Sequence, residues 1–114
     1  VIDIEREIEG FKTAAAAHAA ATNAGNYRNA NKEYKLIINS LQNLKASDSF
    51  QQLIPLLEDE NIEVRVWAST YLLAVVPNAA EMVLSSCCKE EGNMAFSAEI
   101  TLQEWKKGSL RLPL

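Results

Sequence analysis

The amino-acid sequence predicts an all-α fold of about six helices, paired as a short stack of about three antiparallel hairpins. Three observations carry that prediction. Apolar residues recur at spacings of three and four along most of the chain, and strand-type alternation is absent. Only three prolines and four glycines interrupt the 114 residues. A helix–turn–helix pattern also recurs at a constant shift. Leu53, Ile54, Leu57, Val64, Ala68 and Leu72 fall opposite Val83, Leu84, Cys87, Met94, Ala98 and Leu102. Repetition at that period marks stacked helical hairpins, each exposing an apolar face until a neighbour covers it.

Each element has a local reason. The first helix is expected from about Ile2 to Asn23, with Ile4, Ile8, Phe11, Ala15 and Ala19 as its apolar stripe. Its alanine runs combine high helix propensity with small side chains that permit close packing. Gly25 is placed to stop it. The second helix, about Tyr27 to Leu44, carries Tyr27, Ala30, Tyr34, Ile37, Ile38, Leu41 and Leu44 on one face, with Tyr34 assigned to the core. Polar residues around Ser47 end it, and Ser49 with Gln52 has capping-box spacing. The third helix, Phe50 to Glu58, contains Pro55, which removes a backbone hydrogen bond and should kink it. Asn61 caps a fourth helix that reaches about Val76. Pro77 suits a helix start, Asn78 and Glu81 repeat the cap spacing, and the fifth helix is expected to run to about Glu91. The sixth covers about Asn93 to Lys107 and stops at Gly108, leaving an extended tail. Val64, Ala68, Leu72, Ala98 and Leu102 form the expected central core.

Composition bounds the function. Residues 1–114 suit one domain, and 48% apolar content is enough for a core at this size. The net charge of -4 argues against sequence-independent binding to nucleic acid or to an anionic membrane. No apolar run is long enough to cross a bilayer as a helix. Asp3, Glu5, Glu7 and Glu9 make the N-terminal stretch acidic, the opposite of a secretory leader. The chain begins at Val1 rather than Met, so further residues are expected before it. Cys87 and Cys88 are adjacent and point about 100° apart on a helix, which excludes an ordinary disulfide between them. A cytoplasmic location follows as the expectation.

No catalytic or metal constellation emerges. His18 is the single histidine, its neighbours are alanines, and no partner lies one turn away. Cys87 takes the place of Leu57 in the repeat and reads as core, with Cys88 more exposed. Glu58, Asp59, Glu60 and Glu63 form an acidic turn without the glycine and ligand alternation of a calcium loop. It reads as a solvated turn whose acids favour the start of the next helix. Arg28, Lys32 and Lys35, with Lys106, Lys107 and Arg111, give a basic edge, but too little positive charge for a duplex-binding groove. No metal, cofactor, nucleic acid or membrane is expected.

The run from Asp59 to Ala68 resembles the HEAT-repeat pattern: an Asp in the inter-helix turn, then Val64-Arg65 opening the second helix, then a small residue. The resemblance implies a right-handed stack in which Asp59 and Arg65 join a ladder between repeats. The second copy has Lys89 and Ala95 at those places, so no such ladder is expected to continue. The whole chain also resembles a family of small bacterial HEAT-like proteins of unknown function. That likeness rests on residues 25–34, 64–68 and 97–108, and it implies a fold and no activity.

A helical stack can bring Tyr27, Arg28, Asn31 and Lys32 together with Arg65, Trp67, Glu99 and Trp105. Aromatic residues and arginine anchor protein interfaces. The expected function is therefore non-enzymatic binding of an unidentified protein partner through these residues. The alternatives are an immunity or antitoxin-type protein, and a small-ligand binder or enzyme with a pocket near Arg65, Trp67 and Glu99.

Overall fold

The computed structural model describes residues 3–114; Ile2, the expected start of the first helix, lies outside them. It contains five α-helices: α1 (Ile4–Asn23), α2 (Tyr27–Ala46), α3 (Ile62–Leu72), α4 (Pro77–Cys87) and α5 (Asn93–Lys107). A 3₁₀ helix, Phe50–Glu58, precedes α3, and no strand occurs among the described residues. The chain divides into two compact units, one reaching Gln52 and including Leu114, the other Leu53–Pro113.

The first unit is the α1–α2 pair. Asp3 caps α1 by accepting from the Arg6 N–H at 3.2 Å. Gly25, at φ 71°, reverses the chain after α1, and the Asn26 N–H returns to the Ala21 carbonyl. Phe11, Ala14, Ala15 and Ala21 of α1 are buried, as are Ala30, Ile37, Leu41 and Leu44 of α2. Helices that meet through alanine approach closely and leave no slot for a phenol ring. Tyr34, expected in the core, is accordingly 40% exposed at the flank, and Tyr27 is 75% exposed. α2 ends without a glycine: Asp48 takes φ 54°, a conformation its short polar side chain tolerates.

The second unit holds the residues that match at a constant shift. The expected kinked helix at Phe50–Glu58 is instead 3₁₀ throughout. In an α-turn the Pro55 ring would oppose the Gln51 carbonyl, and the segment winds more tightly. Leu53, Leu56 and Leu57 of this segment are buried. Ile54 is exposed, although its repeat counterpart Leu84 is fully buried. Ser49 and Gln52 make no capping box; the Gln52 N–H donates to the Ser49 carbonyl.

Asn61 caps α3 through the Glu63 N–H at 2.8 Å. Pro77 opens α4, which places Asn78 inside the helix; Val76 is the N-cap and offers no side-chain bond. α4 packs on α3 and α5, and α3 on α5. Val64, Ala68, Leu72, Ala98 and Leu102 are all buried, as the repeat pattern predicts. α4 stops at Cys87 rather than near Glu91, because the Lys89 and Glu90 N–H groups turn back to the Ser86 and Cys87 carbonyls. Gly108, at φ 75°, ends α5, with the Ser109 N–H on the Glu104 carbonyl.

Leu72 is fully enclosed, so Leu72→Ala is expected to lower stability by about 2–5 kcal/mol, measured by urea unfolding with an unchanged helical spectrum at zero urea. A change below about 0.5 kcal/mol would place Leu72 on a solvated face.

Candidate functional site

The first turn of α3 and the turn after α4 meet through Arg65. Its guanidinium forms a fork with Glu90: Nη1 to Oε2 at 2.6 Å and Nη2 to Oε1 at 3.1 Å. Nη1 also lies 3.7 Å from the Cys87 Sγ. Two parallel charge-assisted bonds fix direction as well as strength. They hold the Glu90 carboxylate below its ordinary range, and they hold Arg65 more firmly charged against the opposing effect of burial. Burial pushes the Cys87 thiol up, more than neighbouring Arg65 lowers it, so Cys87 sits as a neutral core group rather than a thiolate nucleophile.

Asp59 adds its field to Arg65 and accepts from the Asn61 N–H at 3.0 Å. An acid therefore does meet Arg65 from the following turn, contrary to the expectation drawn from Lys89 and Ala95. It is Glu90, one residue beyond Lys89. The signal was present in the repeat, since Glu90 stands opposite Glu60. It was hidden by the expectation that helix continued to Glu91.

Trp67 lies half-buried on α3, its ring parallel to that of Tyr71 four residues on, with centroids 6.3 Å apart. Its indole N–H donates to Glu63 Oε1 at 3.3 Å, four residues back. Glu63 is buried, which corrects its assignment to a solvated acidic turn; Glu58 and Glu60 are exposed. Trp67 at the next turn of the same face gives the buried carboxylate a donor. Glu99 is exposed on α5 and accepts from Gln103 at 3.4 Å. Arg65, Trp67 and Glu99 are thus engaged by different neighbours. Trp105 is half-buried and lines an open cleft of about 350 Å³ with Gly108, Leu110 and Leu112.

Tyr27, Arg28, Asn31 and Lys32 are all exposed on α2, in the other unit. Tyr27, Asn31 and Tyr34 follow one another at spacings of four and three. Arg28, Lys32 and Lys35 run beside them at the same spacings, so an aromatic strip lies next to a basic one. Asn26 starts this surface by capping α2 through the Asn29 N–H at 3.2 Å. His18 is half-buried within α1. Among the described residues no group of three His, Cys, Asp or Glu side chains is placed to hold a metal ion. No described helix is long and apolar enough to cross a membrane.

Residues 9–105 match the model of a family described as a domain of unknown function, DUF2019, and the chain belongs to that family. Its fold is similar to the crystal structure of the protein RPA1889 from Rhodopseudomonas palustris CGA009. The TM-score is 0.91 at 21% identity, covering 97% of this chain and 94% of that one. No curated protein matches.

The Arg65–Glu90 fork has a defined pH dependence. A carboxylate depressed in the folded state contributes its full stability above the ordinary glutamate value of about 4.3. It loses that contribution as pH falls through the lower folded value. Because the Glu90 side chain is 40% exposed, screening limits the effect. Glu90→Gln is expected to cost about 0.5–1 kcal/mol at neutral pH, read from urea midpoints, and the gap to wild type should close on acidification below pH ~4. A gap that widens on acidification would contradict the assigned ion pair.

Proposed function

We propose that this member of a family of unknown function is a non-enzymatic, cytoplasmic domain that binds a protein partner through the outer side of α2. We also propose that its Leu53–Pro113 unit consists of two HEAT-like helix pairs, a reading supported by the constant repeat shift and by the Arg65–Glu90 bond from α3 to the turn after α4. The observation that carries the binding proposal is the exposure of Tyr27. A tyrosine three-quarters open to solvent in the first turn of α2 packs against little in its own chain. It stands beside exposed Arg28, Asn31 and Lys32. Tyrosine and arginine are enriched in interface anchors because they bring large contact area and directional donors.

Charge indicates the kind of partner. The chain carries -4 overall, yet residues 27–35 hold Arg28, Lys32 and Lys35 against the single acid Glu33. A locally basic strip on an acidic protein favours an acidic protein surface, while the overall charge disfavours the phosphate backbone of a nucleic acid. Arg65 and Trp67 enter this proposal as supports of the scaffold, since their polar groups are engaged within it.

The test is affinity capture from the native host, followed by titration of the captured protein. Tyr27→Ala is expected to weaken binding about tenfold, and Arg28→Glu with Lys32→Glu to abolish it, with helical content unchanged in both. Undiminished capture by both variants would remove α2 as the contact surface. Equal binding to duplex DNA at low salt, lost in the same variants, would replace the protein partner by nucleic acid.

A further inference from the structure

A different surface carries an inference that does not depend on the α2 reading. At the repeat shift, Val66 and Thr70 of α3 correspond to Phe96 and Ile100 of α5. Val66 and Thr70 are buried, whereas Phe96 is 64% and Ile100 42% exposed. The side that is covered at α3 is open at α5, and it carries larger apolar groups there. The terminal helix of a helical-repeat unit normally turns a polar outer face to water, because nothing stacks on it. α5 does the opposite at these two positions.

The pattern along α5 identifies what fits there. Phe96, Ile100, Gln103 and Lys107 recur at spacings of four, three and four, the seam spacing of paired helices, and all four are exposed. Glu99 and Lys106 are two turns apart on one flank of that seam, and both are exposed. A two-fold axis across the middle of α5 brings a second α5 alongside in the opposite direction. Each Glu99 then faces Lys106 of the other copy, twice over. Ile100 meets Ile100 and Gln103 of the second copy, and Phe96 covers the aliphatic stem of its Lys107. The flank is self-complementary only in this antiparallel sense; a parallel pair would set like charges side by side. A closed two-fold pair of this kind uses the same patch on both partners and leaves no free end.

We infer that α5 is the contact surface of a homodimer, its occupant a second copy of this chain packed antiparallel along the Phe96–Ile100 seam. The polar half of the seam, Gln103 and Lys107, makes this a weak, concentration-dependent association rather than an obligate one.

Sedimentation equilibrium on the full chain, from micromolar to sub-millimolar protein, tests the inference. The wild type is expected to approach twice the monomer mass at the upper end, and Phe96→Asp to stay monomeric with an unchanged helical spectrum. Glu99→Lys and Lys106→Glu should each weaken association about tenfold, and the double reversal should restore it to within about threefold, because the pairs are reciprocal. A wild type that stays monomeric throughout overturns the inference. So does association that survives Phe96→Asp. Association lost in Phe96→Asp but not recovered by the double reversal also overturns it, since the apolar patch would then serve some other occupant. Tyr27→Ala leaves the dimer unchanged under this inference, which separates its outcome from that of the α2 surface.

Discussion

α3 is buried almost all round, and the Leu53–Pro113 unit is arranged to satisfy that constraint. Glu63, Val64, Val66, Ala68, Ser69, Thr70, Tyr71 and Leu72 are all enclosed within an eleven-residue helix. A helix without a solvated face must satisfy its polar side chains inside the protein. Ser69 and Thr70 do so by bonding back to carbonyls of their own helix, Ser69 to Arg65 at 2.6 Å and Thr70 to Val66 at 2.7 Å. Glu63 receives the Trp67 indole, and Arg65 pairs with Glu90, with Asp59 adding its field. A carboxylate as enclosed as that of Glu63 is costly to leave without a donor, whereas the part-exposed Arg65–Glu90 pair contributes less. The Trp67–Glu63 bond is thus a condition for burying α3 rather than an addition to it.

The α1–α2 pair solves the opposite problem. Its alanine-rich face brings two helices together without large side chains, and the burial it achieves comes mainly from Phe11, Ile37, Leu41 and Leu44 toward one end. At the other end the bulky residues of α2 stay outside. Small side chains contribute helix propensity and close approach but little apolar area per residue. Tyr27 and Tyr34 are therefore left at the surface by packing geometry. The same alanines that close the helix pair expose the aromatic strip beside Arg28 and Lys32.

Helix positions and the central core were legible in the sequence because both follow from periodicity and from punctuation by Gly25, Asn61, Pro77 and Gly108. Three features were not. Periodicity assigns a helix one buried face, so it sent Glu63 to solvent; a helix covered on several sides has no single period to read. Propensity gives no warning that Phe50–Glu58 winds as 3₁₀, since its leucines suit a three-residue repeat and a helical one alike. The end of α4 depended on two backbone bonds after Ser86 and Cys87 that leave no mark in residue type. Missing that stop concealed Glu90, and with it the partner of Arg65. Of the candidate surface residues, Tyr27, Arg28, Asn31 and Lys32 are related by spacing alone, because all four lie exposed within one helix.

Residue type does not separate anchors from scaffold in this chain; the number of covered sides does. Trp67 and Arg65 have the composition of an interface, yet α3 draws them into pairs with Glu63 and Glu90. Tyr27 and Phe96 have the composition of a core, yet α2 and α5 present them to solvent. The difference follows from position along the chain. α3 is central to its unit, with α4 and α5 both packed on it. Among the described residues no further helix follows α5. Helix periodicity fixes which positions share a face, and the neighbours a helix has decide which of them stay uncovered. Phe96 and Ile100 occupy uncovered positions with side chains larger than those their counterparts bury, and that mismatch between place and chemistry is the reason to look for a partner there.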